Sequence, residues 1–194
     1  MEMPERLERG VADCWTLFVE EADVRIYLTG FMGSGKSTVG LLLAGRLGVP
    51  FVDLDTEIER QAGMTVREIF EIHGEAVFRQ REHEALRATL EAPDVVVATG
   101  GGTMVFEGNF RLMQANGLSV WLNPAFATIV ARIGALGKSD RPLFRDEAQA
   151  LALYKERLPA YRRADLTVDT APGERPEEIA ARIALRIGER RCVI

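Results

Sequence analysis

The stretch GFMGSGKS begins at Gly30, directly after the apolar run VRIYLT, and contains the residue types that hold phosphate groups. Gly30, Gly35, Lys36 and Ser37 fit the pattern GxxxxGK[ST], and they lie where a strand should pass through a loop into a helix. Backbone N–H groups of this loop would form a nest for an anion at the helix start. Lys36 would reach the outer phosphates, and the Ser37 hydroxyl would ligate Mg²⁺. The motif predicts a site for ATP or GTP formed by Gly33, Ser34, Gly35, Lys36, Ser37 and Thr38.

A pair of aspartates supplies the first indication of where the phosphate goes. Asp53 and Asp55 close the predicted strand FVDLD, two residues apart and therefore on the same side of an extended chain. Phosphoryl transfer needs one carboxylate near the Mg²⁺ shell and another that orients or deprotonates the attacking hydroxyl. The pair can fill both roles. The guanine-reading sequence Asn-Lys-x-Asp of GTPase switches does not occur in this chain.

Three consecutive glycines, Gly100, Gly101 and Gly102, directly follow the apolar run VVVAT. Any side chain at these positions would intrude between the backbone and a ligand, so the run indicates close approach. The carboxyl ends of parallel strands share one edge of a sheet, where α/β proteins bind their ligands. We therefore expect the glycine run, the aspartate pair and the phosphate loop to meet.

Arginines mark the predicted acceptor side. In the predicted helix EAVFRQREHEALRATLE, Arg79 and Glu82 lie in the same stripe as Leu86 and Leu90, so charges interrupt an inward face. Arg162 in PAYRRAD and Arg141 in KSDRPLF are further candidates, which only their neighbouring residues identify. Arginine suits bidentate recognition of carboxylate or phosphate. The polar segment around Arg141, about residues 137–150, is predicted to be a lid that excludes water.

Each of these features also has an ordinary structural explanation. The glycine loop and the glycine run could be ligand-free turns. Asp55 could serve only the dipole of a helix start. Arg79 and Glu82 could form a surface ion pair worth a few tenths of a kcal/mol. The two histidines, His73 and His83, are expected to have surface or packing roles.

The elements that must position these groups follow from five short apolar runs separated by amphipathic segments. This alternation predicts an α/β fold, with a five-stranded parallel sheet between two layers of helices. Gly48 is predicted to end the first helix, and Gly63, Gly74 and Gly117 to end others. Capping boxes are predicted at TEIE and TVRE. The five runs are VRIYLT (24–29), FVDLD (51–55), VVVAT (95–99), LSVWL (118–122) and LTVD (166–169).

Composition limits the class of protein. The 194 residues carry a net charge of −5, which gives extended nucleic-acid binding little support. Two cysteines form neither a disulfide framework nor a metal-binding spacing, so we expect a cytoplasmic protein, and no apolar run predicts a membrane span. Residues 24–194 are predicted to form one domain. Residues 1–23 could be a structural appendage, an expression artefact or the product of an early start codon.

Taken in order, six stretches resemble the motif series of the shikimate kinases, a family within the nucleoside monophosphate kinase-like P-loop fold. The resemblance covers about residues 24 to 190. It implies a monomeric, ATP-dependent transferase that phosphorylates the 3-hydroxyl of shikimate, a step toward chorismate and the aromatic amino acids. The lid stretch RPLF departs from the more usual Arg-Pro-Leu-Leu. The six stretches are GFMGSGKSTVG, FVDLDTEIE, TVREIFEIHGEAVFRQRE, VVVATGGG, RPLF and YRRAD.

On the acceptor side, the resemblance implies that Arg79 and Arg162 clamp the carboxylate of shikimate. Asp55 would hold the hydroxyls and poise the attacking one. Glu82 would orient the clamp. The glycine run would complete the shikimate site with Gly100, Gly101 and Gly102.

On the nucleotide side, the resemblance implies that Ser37 ligates Mg²⁺ directly and that Asp53 holds it through water. Lys36 and Arg141 would neutralise charge on the transferring group. Arg132 resembles the residue that stacks on adenine.

Two other functions remain open at this stage. Another small-molecule kinase of the same fold, acting on gluconate or a nucleotide, would share the loop but would not need two arginines opposed to one carboxylate. A regulatory nucleotide-binding module that has lost transfer would lack an acceptor group, whereas Asp55, Arg79 and Arg162 are all present.

Overall fold

The computed structural model of the protein describes residues 25–136 and 147–191. The predicted N-terminal extension, Arg141 and most of the predicted lid lie outside these ranges. Five strands are described: β1 Arg25–Thr29, β2 Phe51–Asp53, β3 Val95–Ala98, β4 Leu118–Pro124 and β5 Leu166–Thr170. Seven α-helices are described: α1 Lys36–Leu47, α2 Leu54–Ala62, α3 Val66–Ala88, α4 Glu107–Asn116, α5 Phe126–Leu136, α6 Glu147–Tyr161 and α7 Pro176–Arg191. Short 3₁₀ turns span Thr89–Glu91 and Thr103–Val105.

The strands form one sheet in the order β2-β3-β1-β4-β5, and every neighbouring pair is parallel. Side chains alternate between its two faces. In β1, Ile26 and Leu28 enter one apolar cluster, whereas Tyr27 enters the other. In β3, Val96 joins the first cluster and Val97 the second. The sheet is therefore buried on both sides, which confirms the predicted α/β sandwich of three layers.

Helices cover both faces. Helices α1 and α7 pack against each other over the face of Ile26 and Leu28. Helices α2, α3 and α4 cover the face of Tyr27. A third cluster joins α5 and α6 to Phe31 and Trp121, next to the glycine loop. Within the two described ranges, none of the helices is long and apolar enough to cross a membrane.

Local sequence signals explain several helix boundaries. Gly48 caps α1 with a φ of 70°, as predicted, and Thr65 and Glu68 form the predicted capping box of α3. Gly74 interrupts α3 with a φ of 80° and a ψ of 171°, so its first two turns diverge from the rest.

The second capping box, predicted at TEIE, is wrong. Helix α2 begins at Leu54, because the Asp53 carboxylate accepts hydrogen bonds from the N–H groups of Asp55 and Thr56 and so caps it earlier. Asp55 consequently lies in the first turn of a helix and not at the end of a strand. The two aspartates still lie at the same edge of the sheet.

The strand register brings three loops together. Leu28 pairs with Ala98, and Ala98 pairs with Asp53, so β1, β2 and β3 end at the same level. The glycine loop, the start of α2 and the run Gly100–Gly102 follow directly. The site predicted from the sequence therefore lies at the carboxyl edge of the sheet, where the strand order changes direction.

Candidate active site

The glycine loop leads directly into the start of α1. Gly30, Gly33 and Gly35 have φ angles of 137°, 75° and 100°, a region that residues with a Cβ rarely adopt. Gly35 is the N-cap of α1, and no side chain among residues 25–136 and 147–191 caps this helix start with a hydrogen bond. The first N–H groups of the helix and the positive end of its dipole are available to an anion.

Lys36 lies along the inside of the loop. It is 9% exposed, and its Nζ donates to the carbonyl oxygens of Gly30 at 2.9 Å and Phe31 at 3.0 Å. These bonds hold the ammonium group at the loop, where it can transfer from carbonyl oxygens to phosphate oxygens.

Arg132 approaches the same loop from α5. Its Nη1 donates to the carbonyl of Ser34 at 3.1 Å and to that of Gly33 at 3.4 Å. The guanidinium therefore lies against the glycine loop.

One cavity of about 590 Å³ joins these groups. It includes three residues that the sequence analysis missed, Glu174, Pro176 and Ile179, which follow β5 and begin α7. No residue pattern distinguishes them from an ordinary helix start. The cavity also contains residues predicted for the nucleotide, the metal and the acceptor, namely Gly33, Ser34, Gly35, Lys36, Ser37, Thr38, Asp53, Asp55, Gly101 and Arg132.

Ser37 and Asp53 form the predicted metal-binding pair. The Ser37 hydroxyl donates to Oδ2 of Asp53 at 2.5 Å, while Oδ1 of Asp53 caps α2. Among the described residues, no group of three or more His, Cys, Asp or Glu gathers into a closed metal cage. One hydroxyl and one carboxylate fit Mg²⁺, which keeps waters and takes further oxygens from substrate phosphates.

Asp55 faces the open cleft and is exposed to it. Desolvation by the surrounding walls raises the pKa of its carboxyl to about 6, and the charges of Asp53 and Glu82 add to this, while Lys36 opposes it. A carboxylate with a pKa near 6 is charged at neutral pH and is a better proton acceptor than an ordinary aspartate.

Charged side chains of the protein pack closely against the glycine run. A Cβ at Gly100 would lie 2.7 Å from Oε1 of Glu82 and 3.1 Å from Oδ1 of Asp55. A Cβ at Gly102 would lie 3.0 Å from both Nη atoms of Arg79. Charged side chains from two helices thus press against this turn, and a side chain at either position would displace them.

Arg79 is held by carboxylates on two sides. Its Nη1 donates to Oε2 of Glu82 at 2.9 Å, and its Nε and Nη2 donate to Oε1 of Glu75 at 3.1 Å and 3.0 Å. Glu82 is 0% exposed, and its Oε1 accepts from the Thr103 hydroxyl at 2.6 Å. The guanidinium also lies 4.7 Å from the ring centroid of Phe106. The ion pair is therefore a fixed element of the site and not a mobile surface contact.

The second predicted clamp residue, Arg162, is exposed just beyond α6. It does not line the cavity that holds the predicted nucleotide, metal and aspartate groups. One turn earlier, Arg157 is 7% exposed, and its Nη1 lies 3.4 Å from the position of a Cβ at Gly101. The sequence analysis missed Arg157. It lies in the inward stripe of α6 with Ala150, Tyr154 and Tyr161, the same signal that identified Arg79.

The predicted groups therefore separate into three sets. The nucleotide, metal and aspartate groups share the cavity. Arg79, Glu82, Gly100 and Gly102 lie against Asp55 and the glycine turn. Arg162 is outside this arrangement, and Arg141 lies outside the described residues.

Comparisons of sequence and structure relate this chain to the shikimate kinases. The sequence profile of the family described as shikimate kinase matches residues 32–187. A shikimate kinase from Geobacter sulfurreducens is 43% identical over 178 residues, which cover 90% of this chain and 97% of that protein. A gluconokinase from Sinorhizobium meliloti shares the fold, with a TM-score of 0.55 and 17% identity over 90% of this chain and 98% of its own.

Among solved structures, shikimate kinase from Acinetobacter baumannii in complex with shikimate superposes with a TM-score of 0.82. It is 35% identical, and the match covers 91% of this chain and 98% of that one. The profile match spans most of the chain, and the sequence and structural relatives agree with it. The chain belongs to the shikimate kinase family.

Proposed function

We propose that this chain transfers the γ-phosphate of ATP to the 3-hydroxyl of shikimate, with the acceptor bound at the turn Gly100–Gly102. The observation that carries the proposal is the placement of two guanidinium groups, Arg79 and Arg157, against this turn. Asp55 lies beside the same turn and also lines the nucleotide cavity. A hydroxy acid can therefore place its carboxylate at the arginines and its hydroxyl at Asp55.

The nucleotide side holds the triphosphate and leaves the γ-phosphate directed at the acceptor. The N–H groups at the start of α1 bind the phosphates, and Lys36 exchanges its loop carbonyls for phosphate oxygens as charge develops. Arg132 closes the loop side of the cavity, where the adenine stack was predicted. The cavity walls limit the water that could compete with the acceptor.

Ser37 and Asp53 are the residues that would hold Mg²⁺. The ion neutralises phosphate charge and orients the transferring group when it is bound. The Ser37 hydroxyl donates to the Asp53 carboxylate, and this hydrogen bond holds the two side chains together. Asp53 is fixed further by its role as the cap of α2.

The acceptor side differs from the prediction in one residue. We assign to Arg157 the place that the sequence analysis gave to Arg162, because Arg157 is buried against Gly101 whereas Arg162 is exposed. Arg79 supplies the other half of the clamp, with its orientation fixed by Glu82 and Glu75. Both arginines offer the planar donors that suit a carboxylate.

Asp55 orients the attacking hydroxyl and accepts its proton as the new P–O bond forms. Its raised pKa makes the carboxylate a stronger base while leaving it ionised at neutral pH. The proton demand is modest, since the transferring group passes through a loose transition state. Positioning and charge stabilisation therefore provide most of the rate enhancement.

The remaining expectations stay predictions. They are a role for Arg141 and a lid near residues 137–150, a monomeric state, a cytoplasmic location and no binding of nucleic acid. None of them changes the chemistry proposed for the described residues.

An acceptor panel tests the proposal. Purified protein with ATP and Mg²⁺ would be assayed for ADP release with shikimate, gluconate or AMP as acceptor, and the phosphorylated product would be identified by mass. We expect ADP release to depend on shikimate and the product to be shikimate 3-phosphate. Equal turnover of gluconate or AMP would replace the proposal with a kinase of the other class. ATP binding without any acceptor-dependent ADP release would indicate a regulatory module.

A further inference from the structure

Tyr161, the last residue of α6, is buried and has its hydroxyl at the acceptor site. Its side chain is 0% exposed, and its ring stacks on Trp121 with the centroids 5.9 Å apart. The hydroxyl donates to the carbonyl oxygen of Gly101 at 2.5 Å. Helix α6 is thereby tied to the middle residue of the glycine turn.

Gly101 is the point at which the two halves of the active site meet. A Cβ at this residue would lie 3.4 Å from the backbone nitrogen of Met32 in the glycine loop and 3.4 Å from Nη1 of Arg157. The peptide unit that joins Gly101 to Gly102 is planar, so fixing its carbonyl also fixes the direction of the Gly102 N–H group. The hydrogen bond from Tyr161 therefore sets the orientation of the turn.

The same hydroxyl lies near the charge of Arg157. Arg157 precedes Tyr161 by four residues, the separation at which two side chains share one face of a helix. Burial raises the pKa of the Tyr161 hydroxyl to about 12, so it keeps its proton and remains a donor to Gly101 at physiological pH. The hydroxyl is thus bonded to the glycine turn on the helix face that also carries Arg157.

We propose that Tyr161 is a positioning residue for the acceptor, acting through the Gly101 carbonyl and not by contact with the substrate. The inference rests on the proposed function, because it takes the turn Gly100–Gly102 as the acceptor site. It adds a residue that orients this turn, against which Nη1 of Arg157 lies. Without the hydroxyl, the Gly101 carbonyl loses its donor.

The test compares two tyrosines that are equally buried. Tyr161→Phe removes the hydroxyl and keeps the ring that stacks on Trp121. Tyr27→Phe is the matched control, since Tyr27 is also 0% exposed but packs in the separate cluster under α2, α3 and α4. For Tyr161→Phe we expect the KM for shikimate to rise by roughly fivefold, the loss expected for one hydrogen bond between uncharged groups. Its kcat and its KM for ATP should stay within about twofold of wild type, a difference of under half a kcal/mol. Tyr27→Phe should keep all three constants.

Three outcomes would overturn the inference. The KM for shikimate could be unchanged in Tyr161→Phe, it could rise equally in both variants, or the two KM values of Tyr161→Phe could rise together. The last two would indicate general loss of packing, which thermal unfolding of both variants would measure. The wild-type enzyme separates this from the proposed function. If it did not phosphorylate shikimate, the function would be wrong, whereas a wild-type-like Tyr161→Phe would refute only the role of Tyr161.

Discussion

The two ends of the active site are built in different ways. The phosphate end consists of one continuous stretch, Gly30–Thr38, and its donors are mainly backbone N–H groups at the start of α1. The proposed acceptor end combines side chains from three helices, Asp55 on α2, Arg79 on α3 and Arg157 on α6, around the turn Gly100–Gly102. One end depends on local backbone geometry, and the other depends on tertiary packing.

This difference separates binding of the nucleotide from selection of the acceptor. A loop of backbone donors suits any triphosphate, and kinases for different small molecules can share it. Side chains contributed by separate helices can change one at a time, so we expect kinases of one fold to differ in their acceptors through this end of the site. Substitutions at the phosphate end should therefore affect kcat, whereas those at the acceptor end should affect the KM for shikimate.

The largest effect is expected for Lys36→Ala. Lys36 is the one basic residue of the stretch GFMGSGKS. Its removal should lower kcat by about 10²–10³-fold, the range measured when a donor that stabilises transition-state charge is lost. The KM for shikimate should change little, because Lys36 contacts the loop and not the glycine turn. Steady-state kinetics with both substrates varied would measure the two constants.

Lys155→Ala is a suitable control, since Lys155 is exposed on α6. It should leave kcat unchanged. If Lys36→Ala instead raised the KM for shikimate and spared kcat, the two ends of the site would not be separable in the way described. Thermal unfolding would show whether the loop carbonyls that lose their donor destabilise the fold.

An intermediate effect is expected for Arg157→Lys. Lysine keeps the charge but lacks the planar fork that binds a carboxylate through two hydrogen bonds. The KM for shikimate should rise by about tenfold, which corresponds to about 1.4 kcal/mol, while kcat changes less. Arg162→Lys, the exposed neighbour, should resemble wild type.

This pair of variants decides between the sequence prediction and the structure. A normal Arg157→Lys enzyme together with an impaired Arg162→Lys enzyme would restore the original assignment of the clamp to Arg162. Impairment of both would show that the carboxylate contacts two adjacent turns of α6.

The phosphate end could be predicted from sequence because its geometry is local. Strand, loop and helix are adjacent in the chain, so Gly35 and Lys36 occupy the positions that the motif implies. The alternating apolar runs likewise predicted the order of strands and helices, since burial on both faces leaves a clear pattern. The error at TEIE was small, because Asp53 and Thr56 both suit a helix cap and only the structure shows which one is used.

The acceptor end was only partly predictable because its residues come together through packing. Arg79 and Glu82 could be identified since both lie in one helical stripe with leucines. Arg157 shows the same pattern in α6, but the family resemblance is carried by the stretch YRRAD, which contains Arg162 and not Arg157. Thr103 has no signal in the sequence, because its contact with Glu82 depends on the turn after β3. Glu75 was missed although it lies four residues before Arg79, the spacing of an ion pair along one helix.

The smallest effect is expected in the stability of the variant Asp55→Asn. Asp55 lies where the two ends of the site meet, because it lines the nucleotide cavity and also lies beside Gly100. The folded protein raises the pKa of Asp55 from 3.8 to about 6, so the charged form is disfavoured by folding. Stability is therefore lost as pH rises from about 4 to 6, and the cost is fully present above that window. Asparagine removes the charge. Because water reaches this carboxylate, the gain at pH 7.5 should be limited to about 1 kcal/mol, or about 2–4 °C in Tm.

Thermal unfolding without Mg²⁺ and nucleotide, at pH 7.5 and again below pH 4, would measure this gain. The difference in Tm between Asp55→Asn and wild type should disappear at the lower pH, where the aspartate is protonated in both states. Glu91→Gln, which neutralises an exposed carboxylate outside the cleft, should leave Tm unchanged. Turnover should fall in Asp55→Asn despite its higher Tm. A lower Tm for Asp55→Asn than for wild type at pH 7.5 would mean that the attraction of Lys36 for the Asp55 charge outweighs the cost of burying that charge. The two ends of the site would then be coupled through this attraction.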